Sequence, residues 1–390
     1  MPPLVRYAPF ALAILVAVFF SHRFLWRRLI ERTQLPDPWR QVGTGLLIGL
    51  ACAWPLGVAL PHFIDAPWSR VLAAVGLTWM GLTLLLFLGL VGADLLRLLA
   101  RKGHQALKIA DFDPERRLFF SRALTGGVSA GMVAMGAGAV RKATGPAELR
   151  EVTVPLRRLP RSMHGFAIVQ ISDLHVGPTI RREHVVDLVD RILALGPDMI
   201  VITGDLVDGP VPALRDQTEP LGRLRAPHGV FFVTGNHEYY AGVEPWLVEL
   251  ERLGIRTLRN ERVAIGGEEG FDLAGIDDAT AHHFGHGHGA DLPKALAGRD
   301  PKRELVLLAH QPKAIFEAAA HGVGLQLSGH THGGQIWPIG YLVKLVQPYV
   351  AGLALHESTW IYVSRGTGYW GPPMRLDAPP EVTRVRLAVA

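Results

Sequence analysis

Between Val42 and Phe63, and again between Val71 and Val91, the chain runs for 22 and 21 residues without an Asp, Glu, Lys or Arg. About 20 consecutive apolar residues carry a helix across the hydrocarbon of a bilayer, so each stretch is long enough to span one. Trp54, Trp68 and Trp79 lie where aromatic rings favour membrane interfaces. A shorter stretch, Tyr7 to Phe20, extends to Leu4 past Arg6 and reads as a first helix or as the core of a signal peptide; we favour the helix. A fourth, Ala123 to Val140, is uncharged over 18 residues but holds five glycines, which weaken both hydrophobicity and helix propensity. Charge follows the same division: 12 of the first 100 residues are charged, against 63 of the remaining 290. The expectation is a transmembrane region of three to four helices over 1–140, a linker over 141–151 and a water-facing domain over 152–390.

Cytoplasmic loops collect Lys and Arg, which gives an orientation. The first loop carries Arg23, Arg27, Arg28, Arg32 and Arg40; the segment after the third span carries Arg97, Arg101, Lys102, Lys108, Arg116, Arg117 and Arg122. Both are expected inside, in a multi-pass inner-membrane protein. If the fourth stretch crosses, the domain after Val140 is extracytoplasmic; otherwise it is cytoplasmic. Arg116-Arg117-Leu118-Phe119-Phe120 ahead of that stretch also looks like a twin-arginine export signal, with Ala137-Gly138-Ala139 resembling a cleavage site. The same arginines equally flank a helix on its cytoplasmic side. Cys52 is the sole cysteine, so a disulfide scaffold is excluded. A net charge of +5 is small for 390 residues and argues against nucleic acid as a partner.

From about Val152 short apolar runs alternate with helical periodicity. Phe166 to Ile171, Met199 to Thr203, Val230 to Thr234, Phe271 to Ile276, Leu305 to Ala309 and Gly324 to Leu327 read as buried strands; His184 to Leu195, Pro245 to Leu253 and Pro312 to Ala320 read as helices. This alternation predicts an α/β domain.

Polar residues follow these runs in a distinct order: Asp173 and His175 after the first, Asp205 after the second, Asn236, His237 and Glu238 after the third, His310 after the fifth, His330 and His332 after the sixth. Ligands of α/β sheets collect at the carboxyl ends of strands, so the set is expected to converge. Carboxylate, amide and imidazole donors suit Mn, Fe, Zn or Mg. Seven donors exceed one tetrahedral ion and suit two ions sharing a carboxylate, an arrangement that clamps both the attacking and the leaving oxygen of a phosphoryl displacement. Taken singly, an Asp or His after a strand is usually a turn residue. The ordered set is what removes that reading.

In this order Asp-x-His, Gly-Asp, Gly-Asn-His-Glu, a single His and Gly-His-x-His resemble the calcineurin-like metallophosphoesterases over roughly Val152 to Ala390. Gly-His-Thr-His-Gly-Gly-Gln at 329–335 and Leu-Ala-His-Gln-Pro at 308–312 are similar to the membrane-associated YkuE-, YaeI- and LpxG-type subgroup. The resemblance implies a sandwich of two mixed β-sheets flanked by helices. It also implies two divalent ions, manganese first, with zinc, iron or magnesium as alternatives. Asp173, His175, Asp205 and His332 would hold one ion and Asp205, Asn236, His310 and His330 the other, with His237 stabilising phosphoryl charge or protonating the leaving oxygen. A water activated by the ions would attack phosphorus in line. Glu238 stands where the family often has Asp.

Other features are weaker. The loop His282 to His288 flanks a substrate, recruits metal, or is a solvated Gly/His loop, which is the favoured reading. Asp277 and Asp278 support the site or make turns, and Arg365 binds phosphate or is solvated. Ile336 to Leu355, with Lys344 as its one strong charge, either packs under a loop or meets membrane lipid or acyl chains. The chain is therefore expected to be a membrane-anchored phosphoesterase acting on a phosphodiester or pyrophosphate, lipid- or nucleotide-linked. The alternatives are a broad extracytoplasmic phosphodiesterase without lipid preference and a metal-stabilised, non-catalytic interaction module. Substrate identity and oligomeric state are not legible.

Overall fold

The computed structural model describes residues 3–62, 64, 66–106 and 113–390, in two compact units. One is Met1–Arg141 with Gly371–Met374; the other is Lys142–Trp370 with Arg375–Ala390.

The first unit is helical: α1 (Pro3–Trp26), α2 (Trp39–Ala59), α3 (Pro67–Ala106) and α4 (Pro114–Thr144). Among the described residues three segments are long and apolar enough to cross a membrane: Trp39–Ala59, Pro67–Ala100 and Glu115–Thr144. The third contains the Gly-rich stretch whose helicity was in doubt. Glycine lowers helix propensity only by about 1 kcal/mol per residue, and the apolar residues between the glycines keep the helix unbroken. Outward side chains are apolar, among them Phe19, Leu46, Ile48, Val71 and Leu96. Helices α2 and α3 approach through small residues: a Cβ on Gly76 would stand 2.2 Å from the Ala53 carbonyl oxygen, and one on Gly57 2.7 Å from that of Leu72. At one end of the unit Asp94 gathers Arg28 at 2.8 Å, Arg97 at 3.7 Å and Arg32 at 3.8 Å. The Arg122 guanidinium donates to the Thr33 carbonyl at 2.7 Å. The first basic loop and the arginines bordering α3 and α4 thus share that end. The expected limit Phe63 and the basic residue Lys108 lie outside the described residues.

The second unit holds twelve strands: β1 (Glu148–Leu156), β2 (Ala167–Ile171), β3 (Met199–Ile202), β4 (Val230–Phe232), β5 (Arg256–Thr257), β6 (Glu261–Ile265), β7 (Phe271–Gly275), β8 (Leu305–Leu308), β9 (Leu325–Ser328), β10 (Gly352–His356), β11 (Thr359–Val363) and β12 (Glu381–Val389). Its helices are α5 (Arg182–Ala194), α6 (Val211–Thr218), α7 (Asn236–Ala241), α8 (Val243–Arg252), α9 (Leu292–Ala295), α10 (Ile315–Ala320) and α11 (Ile339–Val343). The strands form two six-stranded sheets, ordered β1-β12-β2-β3-β4-β5 and β10-β11-β9-β8-β7-β6. Both are mixed, as expected: β2 to β5 run parallel, as do β7, β8, β9 and β11, while β12 against β2, β6 against β7 and β10 against β11 are antiparallel.

The central strands are covered on both faces, which is why they read as unbroken apolar runs. Ile168, Met199, Val201 and Phe231 of one sheet meet Leu273, Val306, Leu308, Leu325 and Tyr362 of the other. On the outer face of the first sheet, Val185, Leu188, Val189 and Ile192 bury one stripe of α5, at the spacing of a 3.6-residue helix, beside Trp246 and Leu250 of α8. Helices α9 and α10 cover the outer face of the second sheet. The result is a helix–sheet–sheet–helix sandwich.

Three elements depart from the sequence reading. The span 141–151 is not a free linker, since α4 continues to Thr144 and β1 starts at Glu148. Strand β1 pairs in parallel with β12 from the far end of the chain, Glu148 opposite Glu381, a partner that local periodicity cannot reveal. The stretch expected as one helix from Pro312 splits into a 3₁₀ turn over Pro312–Ala314 followed by α10.

Candidate metal centre

All seven expected donors and His237 sit just beyond strand ends, drawn from both sheets. Asp173 and His175 follow β2, Asp205 follows β3, Asn236 and His237 open α7 after β4, His310 follows β8, and His330 and His332 follow β9. The sheets are tied at this edge by buried hydrogen bonds: the Gln170 amide donates to the Ser328 carbonyl at 2.9 Å, and His310 Nδ1 donates to the Thr203 carbonyl at 2.7 Å.

The backbone is unusual here. Asp173, His175, Asp205, His330 and His332 all adopt left-handed φ values, between 51° and 71°. For non-glycine residues this costs on the order of 1 kcal/mol or more each and persists only where neighbours over-determine it. They do: Asp173 N–H donates to the Gly204 carbonyl at 3.0 Å and His175 N–H to that of Asp205 at 3.1 Å. His330 N–H donates to Asp173 Oδ1 at 2.9 Å. The strain turns each side chain inward. Glycines beside these residues leave no space for a side chain; a Cβ on Gly235 would stand 2.1 Å from Asp205 Oδ1, and one on Gly329 2.2 Å from Asp173 Oδ2.

Among the described residues three clusters of donor atoms result, two of them built from the expected donors. Asp173, His175 and His332 form one, and Asp205, His310 and His330 the other. His175 Nε2 faces His332 Nε2 at 3.1 Å, and His310 Nε2 faces His330 Nδ1 at 3.1 Å. Asp205 Oδ2 connects them, 3.2 Å from His310 Nε2 and 3.9 Å from His175 Nε2. Asn236 is buried and its Oδ1 accepts no hydrogen bond, an orphaned acceptor whose burial costs about 1–3 kcal/mol unless something electropositive meets it. Imidazoles behind the site are oriented for ligation. His310 gives its Nδ1 proton to a carbonyl, and His175 gives its own to Asp208 at 2.8 Å, so each ring turns an Nε2 lone pair inward. This donor set fits two divalent cations.

Without metal, the site's charges are strongly perturbed: burial disfavours the charged His310 imidazole, but Asp205 outweighs it and lifts the ring well above its usual range. Burial and the nearby Arg375 guanidinium hold His332 well below the usual imidazole range, so it stays neutral and able to donate a lone pair. Burial raises the Asp173 carboxyl. Burial alone would raise Asp205 too, but His310 and His237 outweigh it and hold Asp205 well below the carboxylate range. Burial and Asp205 push Glu238 up to about 7. The geometry nevertheless requires its carboxylate form, because it accepts from the N–H groups of Gly235 at 2.7 Å, Leu206 at 2.8 Å and Asp205 at 3.0 Å. Glu238 therefore clamps the Asp205 turn to the start of α7, a role its longer side chain can reach.

Asp208 was missed in the sequence. Its Oδ1 accepts from His237 Nδ1 at 2.6 Å as well as from His175, joining the third donor cluster of the site. The signal was a second carboxylate three residues after Asp205. With its Nδ1 committed to Asp208, His237 points Nε2 toward the centre, 4.0 Å from Asp205 Oδ2. Tyr240 and Trp370, both exposed, stand edge-on to the His237 ring at 5.3 Å and 5.6 Å. Arg375 was also missed: fully buried, it donates to the carbonyls of Arg365 at 2.6 Å, His332 at 2.8 Å and Gly368 at 3.0 Å, and its guanidinium lies 3.1 Å from His332 Nδ1.

The other candidates are each committed to a partner of their own. Arg365 is paired with buried Glu381 at 3.1 Å. Asp277 takes both guanidinium nitrogens of Arg259, at 2.7 Å and 2.9 Å, and Asp278 accepts from Gln311, next to His310. In the histidine loop, His288 pairs with Arg259; among the described residues no metal-type cluster includes that loop.

Comparison with known proteins agrees with this arrangement. A family profile described as calcineurin-like phosphoesterase matches residues 166–334, which contain every one of these donors. The chain is 40% identical over 306 residues to the transmembrane protein with metallophosphoesterase domain of Bos taurus, covering 75% of this chain and 68% of that one. The Danio rerio protein of the same name is 41% identical over 254 residues, covering 63% of this chain and 58% of its own length. The metallophosphoesterase YkuE of Bacillus subtilis is 31% identical over 245 residues, covering 60% and 84%.

Proposed function

This chain belongs to the calcineurin-like metallophosphoesterases, metal-dependent phosphoester hydrolases, and from that premise we propose that it is a multi-pass membrane enzyme cleaving a phosphodiester or pyrophosphate bond in a lipid- or nucleotide-linked substrate. The observation that carries the reading is the pair of donor clusters joined by Asp205, beside which the buried Oδ1 of Asn236 is left without a hydrogen-bond partner. Asp173, His175, Asp205 and His332 would hold one ion and Asp205, Asn236, His310 and His330 the other, manganese being the first choice for this mixed oxygen and nitrogen set. Bound ions supply Lewis acidity and lower the pKa of water.

The remaining chemistry belongs to side chains. Burial lowers the affinity of His237 for a proton, but Asp205 and the hydrogen bond to Asp208 outweigh it and raise its pKa to about 9. In the metal-free protein His237 therefore carries a proton at neutral pH, which it would offer from Nε2 to the oxygen leaving phosphorus. Asp208 fixes the tautomer and balances the charge. Tyr240 and Trp370 border that histidine and shield the proton path from bulk water. With three helices among the described residues long and apolar enough to cross a membrane, a substrate presented at a bilayer is the economical choice. The test compares turnover by the full chain, in detergent, of UDP-diacylglucosamine, a phospholipid and bis-p-nitrophenyl phosphate. Preference by kcat/KM for a lipid-linked compound supports the proposal; equal or better use of the soluble diester supports the broad phosphodiesterase.

A further inference from the structure

The segment after His332 carries a concentration of exposed apolar side chains. Trp337, Tyr341, Leu342, Leu345 and Val346 all face outward, Leu345 and Val346 at 80% and 74% exposure. Soluble surfaces rarely gather so many large apolar groups within ten residues. Backbone hydrogen bonds continue past α11, Leu345 to Leu342 and Val346 to Val343, so Leu342, Leu345 and Val346 share one helical face. Its single charge is Lys344, whose Nζ lies 5.6 Å over the Tyr341 ring. A Trp, a Tyr and one long Lys beside Leu and Val is the composition of an interfacial helix, with aromatic rings and a snorkelling amine at headgroup level.

The position is not incidental. Gly334, in the turn that bears His332, packs so closely on α11 that a Cβ there would stand 2.4 Å from Gly340 Cα. The start of the catalytic unit is itself buried in that unit's core. The unit begins at Lys142, inside α4, and Ala143 and Ala147 are buried in its core beside Ile171, Tyr369 and Val382. Only residues 145–147 separate α4 from β1, a reach of about 10 Å at most. The bilayer is the occupant that this composition fits, since among the described residues the chain carries helices long and apolar enough to cross one. A second copy of the chain is the poorer occupant, because stable protein interfaces bury far more than one short helix offers.

The geometry points to α11 and the following turn, Trp337 to Val346, as a membrane-docking element that rests in the acyl–headgroup boundary and holds the metal centre at the lipid surface. This rests on the membrane-anchored reading. The test places the full chain in nanodiscs of phosphatidylcholine and phosphatidylglycerol, with doxyl quenchers at lipid positions 5 and 12, and attaches an environment-sensitive fluorophore at single cysteines. Native Cys52 in α2 reports whether the chain spans. Leu345→Cys in a Cys52→Ser background reports docking. Val248→Cys, on an exposed site of α8 flanked by Glu244 and Arg252, reports dye partitioning alone. Quenching of at least twofold at Cys52 and at Leu345→Cys, with none at Val248→Cys, is expected. Quenching at Cys52 without quenching at Leu345→Cys overturns docking and leaves the anchored reading standing, and a blue shift at Leu345→Cys without quenching overturns it in favour of a protein partner. No quenching at Cys52 overturns both.

Discussion

Oδ1 of Asp208 lies 2.6 Å from Nδ1 of His237, and the same oxygen lies 2.8 Å from Nδ1 of His175. One carboxylate thus orients a proposed metal ligand and the proposed proton donor. Asp208→Asn leaves an acceptor of similar shape but removes a carboxylate charge that, after that of Asp205, raises the His237 pKa. We expect kcat to fall by about 10²-fold, and metal affinity, through His175 alone, by about tenfold. Steady-state rates beside metal content by mass spectrometry check this; unchanged kcat would remove Asp208 from the mechanism.

His237 gives a pH dependence with a definite sign. Its folded pKa, about 9, lies above the ordinary 6.5, so its contribution to stability is complete below pH 6.5 and is lost as pH rises through 9. The loss is on the order of 3 kcal/mol at most. Metal-stripped protein should lose more melting temperature between pH 7 and pH 10 than His237→Gln does under the same conditions. Parallel losses would mean that the histidine is not held as described.

Asn236 Oδ1 has no hydrogen-bond partner, and Asn236→Ala removes it. The expected result is a drop in bound metal from two ions toward one per chain, with no loss of metal-free stability, since removing an orphaned acceptor costs little. Equilibrium dialysis with manganese, together with a metal-free melt, checks both halves. Gly329→Ala should fail differently, because the added methyl must displace Ser172 Oγ, 1.9 Å away, and Asp173; both ion binding and folding stability should fall.

Arg375 ties the His332 turn to Arg365 and Gly368 through buried carbonyls. Arg375→Met strips donors from several buried acceptors and should destabilise by about 3–5 kcal/mol. Arg375→Lys keeps the charge but not the fork, and should recover part of the stability with a tenfold or greater loss of metal affinity. Equal metal affinity in the Lys variant would show that the guanidinium does not position His332.

Much of this was legible because the central strands are short, buried on both faces and followed at once by polar residues. Asp173, Asp205 and His310 could be placed from that pattern alone, without knowing which strands were neighbours. What escaped depends on non-local pairing or reach. Strand β1 becomes a strand by lying against β12, more than two hundred residues later. Glu238, expected only as a variant of Asp, owes its position to three N–H groups on two loops. Arg375 has the sequence surroundings of a surface arginine; only the fold converts it into a buried anchor. Arg365, a candidate for phosphate, is committed to Glu381 for the converse reason: a buried carboxylate on β12 needs a partner.

The central claim is that these seven donors hold two ions that drive hydrolysis. The most direct measurement strips the full chain of metal in detergent and restores manganese, zinc, iron or magnesium separately, following bis-p-nitrophenyl phosphate hydrolysis and bound metal together. The account predicts that turnover returns with two ions per chain, that His332→Ala and Asp205→Asn lose both metal and activity, and that His237→Ala keeps the metal while slowing by 10²-fold or more. Equal metal content and equal rates in all three variants would contradict it.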